Sequence, residues 1–327
     1  MPGDLGGPPE LTEGGTVAGT IEVEQRGRVL LATLANAPHA LMDRPMVAAL
    51  DDLVRRAETD PDVGGVVLTG AHPERFVAHY DVGELLSGAE SGPAAVAPGP
   101  TRAALRAVRA ARRVPGADAA LSGTPVAGLV QLERFHEVFL RMNSCGAVFV
   151  AALNGSAMGA GCELALACDF RLMARGEFGV GQPEILFGFP PGGGGTQRLA
   201  RMLGTTRALR LVLDGGPLTP DQAAELGIVD RVVAAGELID AAVADAARLG
   251  SRIKAAVAAS KRAVYLGGSL PLPDGIRVEE AEFLSTIATD DARAAMRAYV
   301  EQLESRGELP GYDPEVMQAT LERGRFA

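Results

Sequence analysis

The chain has 327 residues, of which 47% are hydrophobic and 22% charged, and this ordinary globular composition is sufficient for a large core. Its formal net charge of −10 disfavours nonspecific binding to nucleic acid or to an anionic membrane surface. No apolar run reaches the roughly 18–20 residues that a membrane-spanning helix needs, so no membrane association is expected.

The N-terminal sequence and the cysteines indicate the cellular setting. Residues 1–16 are rich in glycine, proline and acidic residues, which predicts a flexible tail, and they lack the basic and apolar regions of a secretory signal. Without a signal, the odd set Cys145, Cys162 and Cys168 favours free thiols in a reducing cytosol over disulfides. Their spacing has no CxxC pattern, so no metal site is expected. We therefore expect a cytoplasmic protein.

The first part of the chain has an α/β pattern. The apolar run VLLATLA (Val29–Ala35) predicts a buried strand, and apolar residues at helical spacing after Pro45 predict a helix. GGVVLTG (Gly64–Gly70) predicts a second strand. Strand, helix and strand in this order indicate an α/β core, which we assign to residues 17–235.

An unusual segment at about residues 87–128 interrupts this pattern. Its first part, SGAESGPAAVAPGP, is predicted to be loose because of its glycine and proline content. The following TRAALRAVRAARR (Thr101–Arg113) predicts a helix with Arg102, Arg106, Arg109 and Arg113 along one face. Two interpretations stay open: a solvated helix face, or a patch that binds an anion such as a ligand phosphate.

Regular patterns resume after the insertion. LERFHEVFLRM (Leu132–Met142) predicts a helix, and AVFVAAL (Ala147–Leu153) predicts a strand. From Thr219 onward helical patterns dominate, with one strand-like break at IVDRVV (Ile228–Val233). We therefore predict a helical C-terminal region over residues 236–327.

The stretch NGSAMGAGCE (Asn154–Glu163) follows the predicted strand directly and ends in an acid at the start of an apolar helix. A glutamate in the first helical turn offsets the helix dipole, which is a purely structural interpretation. The same geometry also suits catalysis, because small residues expose backbone N–H groups that can bind an oxygen gaining negative charge. The sequence alone leaves both interpretations open.

Three further motifs carry polar groups. GQPE (Gly181–Glu184) sets Glu184 beside glycine-rich and apolar sequence, where a carboxyl pKa rises and proton exchange near neutral pH becomes possible. PPGGGGTQR (Pro190–Arg198) lacks the lysine of a phosphate-binding loop, so we interpret it as a flexible entry to a helix that begins near Thr196. His79 is a candidate base or ligand, although a lone loop histidine is more often neither.

With these segments assembled, the chain resembles the enoyl-CoA hydratase/isomerase (crotonase) family. Four stretches carry the resemblance in family order: APHALM (Ala37–Met42), ERFVAHYDVGEL (Glu74–Leu85), VAALNGSAMGAGCELALACDFRLMA (Val150–Ala174) and FGVGQPEILFGFPPGGGGTQRLARMLG (Phe178–Gly204). The last two are close matches. The resemblance implies an α/β, crotonase-like spiral of ββα units with a helical C-terminal region that builds a homotrimer or hexamer.

The resemblance also implies site residues for an acyl-CoA substrate. The backbone N–H groups of Tyr80 and Ala160 would form the oxyanion hole for the thioester carbonyl. Glu163 would hold and deprotonate the attacking water, and Glu184 would exchange a proton with it and at the α-carbon. No metal or redox cofactor is implied, because coenzyme A is part of the substrate. Further substrate or CoA contacts are expected at Ala40, Ala78, Asp81, Val82, Gly159 and Pro183.

The departures from the family pattern keep alternatives open. FVAHYD (Phe76–Asp81) replaces an FxAGAD-type segment, so a histidine and a tyrosine stand where small residues are usual. Two glutamates favour a 2-enoyl-CoA hydratase, but a Δ3,Δ2-enoyl-CoA isomerase needs only Glu184, and other enolate-stabilising reactions of the same family stay open as well. A non-catalytic acyl-CoA-binding or scaffold protein is the alternative from another class, motivated by the altered loop and the insertion. The acyl chain length is left open.

Overall fold

The computed structural model describes residues 18–91 and 97–327, and the predicted tail over residues 1–16 lies outside the described residues. Nine strands are formed within these described ranges: β1 Thr20–Arg26, β2 Val29–Ala35, β3 Gly65–Gly70, β4 Arg75–Val77, β5 Val148–Leu153, β6 Ser156–Met158, β7 Phe170–Ala174, β8 Val180–Gly181 and β9 Arg231–Val233.

The helices of the described residues fall into two groups. Nine accompany the strands: α1 Arg44–Thr59, α2 Val82–Ser91, α3 Pro98–Ala111, α4 Ala117–Ser122, α5 Ala127–Met142, α6 Ala160–Ala167, α7 Gly195–Leu203, α8 Thr205–Asp214 and α9 Pro220–Glu225. Five form the C-terminal region: α10 Leu238–Gly250, α11 Lys254–Tyr265, α12 Leu272–Ile287, α13 Asp290–Arg306 and α14 Pro314–Arg323.

The strands form two sheets. The larger sheet has the order β1-β2-β3-β5-β7-β9, and the smaller one has the order β4-β6-β8. β1 pairs antiparallel with β2, and the remaining pairs are parallel. Each of β3, β5 and β7 is followed by a short strand of the smaller sheet and then by helix. The chain therefore winds as a spiral of repeated ββα units.

Strand β5 shows why the larger sheet is apolar on both faces. Its alternate residues Phe149, Ala151 and Leu153 join a core that includes side chains of α1, α5 and α6. The intervening Val148, Val150 and Ala152 pack with side chains of α10. Since both faces of this parallel strand are covered, it has the continuous apolar run that the sequence shows.

Helix α11 docks on this core through buried polar contacts. Lys261 Nζ lies 2.7 Å from Asp169 Oδ2 and donates to the Ala147 carbonyl at 2.7 Å. The Tyr265 hydroxyl donates to Asp169 Oδ1 at 3.1 Å. At the start of the same helix, Lys254 Nζ donates to the backbone carbonyls of Ala57, in the last turn of α1, and of Asp60 and Val63, which precede β3. Helix α11 is thus fixed to the core by specific polar contacts.

Most predicted elements of the core are confirmed, but the beginning of the insertion is more regular than expected. The segment predicted to be loose is helical up to Ser91 and again from Pro98, while residues 92–96 lie outside the described residues. Proline at the first turn and the alanines that follow support α3 despite the local glycine and proline content. The three cysteines are buried free thiols. Over residues 18–91 and 97–327, no helix has the length and apolarity that crossing a bilayer requires.

Candidate active site

A cavity of about 390 Å³ opens between α2, α5, the start of α6 and the loop after β8. Seven of the ten site residues expected from the sequence line it: Tyr80, Val82, Gly159, Ala160, Glu163, Pro183 and Glu184. These residues come from three separate segments, so the fold brings them together. The two open interpretations of Glu163 are therefore not exclusive, because this first-turn glutamate also faces a cavity.

The backbone N–H groups of Tyr80 and Ala160 are available in this cavity. Within the described residues, neither N–H donates a hydrogen bond to another protein group. The neighbouring N–H groups are used, since Asp81 donates to the Met42 carbonyl at 2.8 Å and Gly159 to the Gly181 carbonyl at 2.9 Å. Two free donors beside one cavity can bind an oxygen that develops negative charge.

Glycines allow the chain to form this corner. Gly159 precedes α6 with φ +49° and ψ −122°, a backbone conformation that other residues rarely adopt. A side chain at Gly161 would overlap the carbonyl of Val77, so glycine lets α6 pack directly on β4. The small residues of the Asn154–Glu163 stretch therefore serve the close approach that the sequence predicted.

Glu163 is held by the glycine-rich loop. Its Oε1 accepts the N–H groups of Gly193 at 2.7 Å and Gly195 at 2.8 Å. Its side chain is buried, and this burial raises the carboxyl pKa, while the two backbone bonds act in the opposite direction. Since Oε1 is engaged, Oε2 is left to interact with a ligand. From the sequence, this loop was interpreted only as a flexible entry to a helix. In the structure it orients a carboxylate of the site.

The same loop leads into α7, which begins near Thr196 as the sequence predicted. The helix starts at Gly195, and Gly194 precedes it with φ +107° in the left-handed region. Thr196 is therefore the second residue of the helix. Gly193 and Gly195 both donate their N–H groups to Glu163. The run of glycines therefore positions a carboxylate, a role that could not be predicted from the absence of a phosphate-loop lysine.

Glu184 is buried and begins the short helical turn Glu184–Phe187. Burial raises its pKa to about 7, and the charge of Glu163 adds to the shift. In the amide orientation that satisfies both groups, buried Gln182 donates to Glu184 Oε2 at 3.1 Å and Oε1 at 3.0 Å. The sequence showed Gln182 inside the GQPE motif, but nothing in the pattern marked its contact with the glutamate.

Ala40, Ala78 and Asp81 do not line the cavity formed by the described residues. They hold the segment that contains Tyr80 instead: the Ala78 N–H donates to the Ala40 carbonyl at 2.7 Å, and the Asp81 N–H donates to the Met42 carbonyl. Ala40 itself is buried and has φ +57°. Direct contact of these three residues with CoA stays a prediction.

The two residues that depart from the family pattern both line the cavity. His79 Nδ1 lies 2.7 Å from the Tyr80 carbonyl oxygen, and since a carbonyl oxygen can only accept, this nitrogen carries the hydrogen. The Tyr80 hydroxyl donates to Glu84 Oε2 at 2.8 Å, and its ring meets Phe135 edge-on with centroids 6.1 Å apart. The larger side chains are thus accommodated by contacts with α2 and α5.

Of the four arginines on the predicted face of α3, Arg109 is the one that forms an ion pair within the described residues. Arg109 bonds to the buried carboxylate of Glu133 at 2.5 Å, and Arg112, whose side chain is 9% exposed, bonds to Asp118 at 2.7 Å. Neither Arg106 nor Arg109 lines the cavity that holds the glutamates. The anion-patch interpretation is weakened at Arg109, because its charge already has a buried partner.

The sequence and the fold are similar to those of known proteins. The enoyl-CoA hydratase/isomerase family profile matches residues 126–306. A probable mitochondrial enoyl-CoA hydratase from Dictyostelium discoideum is 34% identical over 286 residues, covering 86% of this chain and 88% of the relative. A short-chain-enoyl-CoA hydratase from Clostridium acetobutylicum is 29% identical, covering 87% of this chain and 96% of the relative.

A solved structure of an enoyl-CoA hydratase from Geobacillus kaustophilus HTA426 superimposes with a TM-score of 0.70 at 25% identity, covering 88% of this chain and 96% of that chain. The architecture is therefore a crotonase-type α/β spiral with a helical C-terminal region. The chain belongs to the enoyl-CoA hydratase/isomerase family, as the sequence motifs predicted.

Proposed function

We propose that the chain is a 2-enoyl-CoA hydratase, a lyase that adds water across the α,β-double bond of an acyl-CoA thioester. One observation carries the proposal: Glu163, Glu184 and two free backbone N–H groups line a single cavity. The names of the relatives from Dictyostelium and Clostridium support the same activity class. The acyl-CoA itself is the substrate, and the proposed reaction gives no role to a metal or a redox group.

The proposed oxyanion hole consists of the N–H groups of Tyr80 and Ala160. When water attacks the β-carbon, negative charge moves to the thioester oxygen and an enolate forms. Two donors aimed at that oxygen lower the barrier, and losing one such donor typically costs about 3–4 kcal/mol. Ala160 also begins α6, so the helix dipole favours the same charge.

The two glutamates divide the proton transfers. Glu163 holds the water through Oε2 and assists its deprotonation, while its Oε1 stays fixed by two backbone bonds. Glu184, with a pKa of about 7, carries a proton in a substantial fraction of molecules at neutral pH. The water oxygen bonds to the β-carbon as one proton of the water passes to Glu163, and the proton of Glu184 goes to the α-carbon. Transfer of the proton from Glu163 to Glu184 then restores both groups.

We further propose a homotrimer or hexamer that assembles through the C-terminal helices. Helix α12 supports this proposal because several of its apolar side chains are exposed in the single chain, including Leu272 at 76%, Phe283 at 59% and Leu284 at 64%. Several exposed apolar side chains on one helix fit an interface between subunits. Light scattering of the purified protein would measure the mass; a monomer would contradict the proposal. Cytoplasmic location stays a prediction.

Product analysis tests the proposed activity against its alternatives. The protein is incubated separately with a 2-enoyl-CoA and a 3-enoyl-CoA, and the products are separated by chromatography. We expect a 3-hydroxyacyl-CoA from the 2-enoyl substrate. Conversion of the 3-enoyl to the 2-enoyl thioester without hydration would instead support an isomerase. That reaction needs only one proton-transferring acid, Glu184. Acyl-CoA binding with neither product would support a non-catalytic protein.

A further inference from the structure

Helices α2 and α5 form two walls of the cavity, and their contributions follow helical spacing. α2 contributes Val82, Leu85 and Gly88, among others, and α5 contributes Gly128, Leu132 and Phe135, among others. Within each helix these residues are spaced three or four apart, so each set lies along one helix face. The two faces therefore line the same cavity along part of its length.

The reacting end of these walls is fixed by Phe135. Its ring contacts Tyr80, and a side chain at Gly193 would overlap both the Phe135 ring and Glu163 Oε2, so Phe135 lies next to the carboxylate. From Phe135 to Gly128 the helix extends about 10 Å, since each residue adds about 1.5 Å. From Val82 to Gly88 the opposite wall extends about 9 Å. Both walls thus run a similar distance from the site to a glycine.

The walls are mostly apolar and incompletely covered. No residue of α2 is buried, and Leu85 is 42% exposed although it lines the cavity; Leu132 on α5 is 37% exposed. The charged group on this part of α2, Glu84, is already bonded to the Tyr80 hydroxyl and lies 3.5 Å from Arg44. An apolar ligand between the helices would cover these leucines without stranding that carboxylate.

Gly88 and Gly128 mark the far end. Glycine inside a helix costs roughly 1 kcal/mol relative to alanine, so its presence in both walls calls for a reason. A Cβ at either position would meet no described atom within 4 Å. Space is therefore left open at the end of both walls.

We infer that the acyl chain of the substrate lies between α2 and α5 and reaches Gly88 and Gly128, which fits 2-enoyl thioesters of about ten or eleven carbons. One extended residue of a polypeptide spans about 3.5 Å over three backbone bonds, so an extended acyl chain advances about 1.2 Å per bond. A wall of about 9–10 Å therefore accommodates seven or eight bonds beyond the reacting carbons. The inference rests on the proposed function for the direction in which the acyl group enters.

Binding of saturated thioesters tests the inference without requiring turnover. Dissociation constants of butyryl-CoA and decanoyl-CoA are measured by calorimetry on the full chain, its Gly88→Leu and Gly128→Leu variants, and Gly99→Leu as the matched control. Gly99 is also a helical glycine with open space at its Cβ, but it does not line the cavity. Leucine favours helix more than glycine does, so all three variants should keep their helices, which circular dichroism checks.

We expect the unaltered chain and Gly99→Leu to bind decanoyl-CoA at least about tenfold more tightly than butyryl-CoA, since each buried methylene can contribute up to about fourfold. Gly88→Leu and Gly128→Leu should reduce this ratio to about threefold or less. A ratio below about threefold in the unaltered chain, or an unchanged ratio in both cavity variants, would overturn the inference. Chain-length preference without hydration would contradict the proposed function and leave the inference intact.

Discussion

The carboxylate of Glu163 raises the pKa of Glu184, although the two residues belong to separate segments, the first turn of α6 and the short turn after β8. Burial makes the larger contribution to the shift, which brings Glu184 to about pH 7. Glu184 is therefore partly protonated near neutral pH, and its titration depends on the charge of Glu163. This coupling is the physical basis of the proposed division between a water-holding base and a proton donor.

The raised pKa of Glu184 predicts the basic limb of the pH profile. If its proton is delivered to the α-carbon, kcat should fall as the pH rises through about 7, approaching tenfold per pH unit well above it. The acidic limb should lie above the ordinary glutamate value of 4.5, because burial also raises the pKa of Glu163. Measuring kcat from pH 5 to 9 checks both limbs; a rate that stays constant up to pH 9 would exclude Glu184 as the donor.

The same shift predicts a change of stability that does not depend on turnover. The native state binds more protons at Glu184 than the unfolded state, so this stabilising contribution is complete below about pH 4.5 and is lost as the pH rises through about 7. Urea unfolding should show that, between about pH 4.5 and pH 9, the free energy of unfolding falls by about 1–3 kcal/mol less in Glu184→Gln than in the unaltered chain. An identical pH dependence in both proteins would show that the carboxyl titrates normally.

Replacing Gly159 by alanine should disturb the site more than the fold. A Cβ there would lie 3.1 Å from Glu184 Oε1 and 3.3 Å from the Cβ of His79, and φ is +49°. Gly27→Ala is the matched control, since Gly27 has φ +60° and open space in the turn between β1 and β2. Both variants should lose about 1–2 kcal/mol from backbone strain.

Activity separates the two glycine variants. Hydration should fall at least about tenfold in Gly159→Ala, because misplacing the donors or Glu184 weakens transition-state stabilisation. Gly27→Ala should keep its activity at a temperature where both proteins are folded. Equal activities would contradict the proposal that the corner at Gly159 sets the catalytic geometry.

The helical spacings and apolar runs were sufficient to predict most of the core, because β5 and α5 are each long enough to show their period. Short elements such as β4 and β8, with three and two residues, gave no comparable signal. Helix α2 was obscured by the glycine and proline residues that follow it, since it has no buried face to impose a pattern.

The site was predicted in part from the residues and in part from the family resemblance. Glu163 stood out because a helix start and small residues are local features of the sequence. Its bonds to Gly193 and Gly195, and the contact of Gln182 with Glu184, depend on how distant segments pack. Such contacts have no spacing rule, so sequence patterns could not reveal them.

The buried ion pair that docks α11 predicts a large stability effect. Lys261→Met would leave the Asp169 carboxylate, whose side chain is 8% exposed, without its charged partner. Breaking a buried pair in this way typically costs about 3–5 kcal/mol. Arg293→Met is the control, because its pair with the exposed Asp290 should contribute less than about 1 kcal/mol. Urea unfolding measures both; similar losses would show that the buried contact does not hold the C-terminal helices.

The most direct test of the central claim is loss of the conjugated enoyl-thioester absorbance with crotonyl-CoA and 2-decenoyl-CoA. The unaltered chain is compared with Glu163→Gln, Glu184→Gln and the control Glu225→Gln, which changes an exposed glutamate of α9. We predict hydration by the unaltered chain and the control, and a loss of about 10²–10⁴-fold in each site variant. Full activity in either site variant, or no hydration by the unaltered chain while acyl-CoA binding persists, would contradict the two-glutamate hydratase.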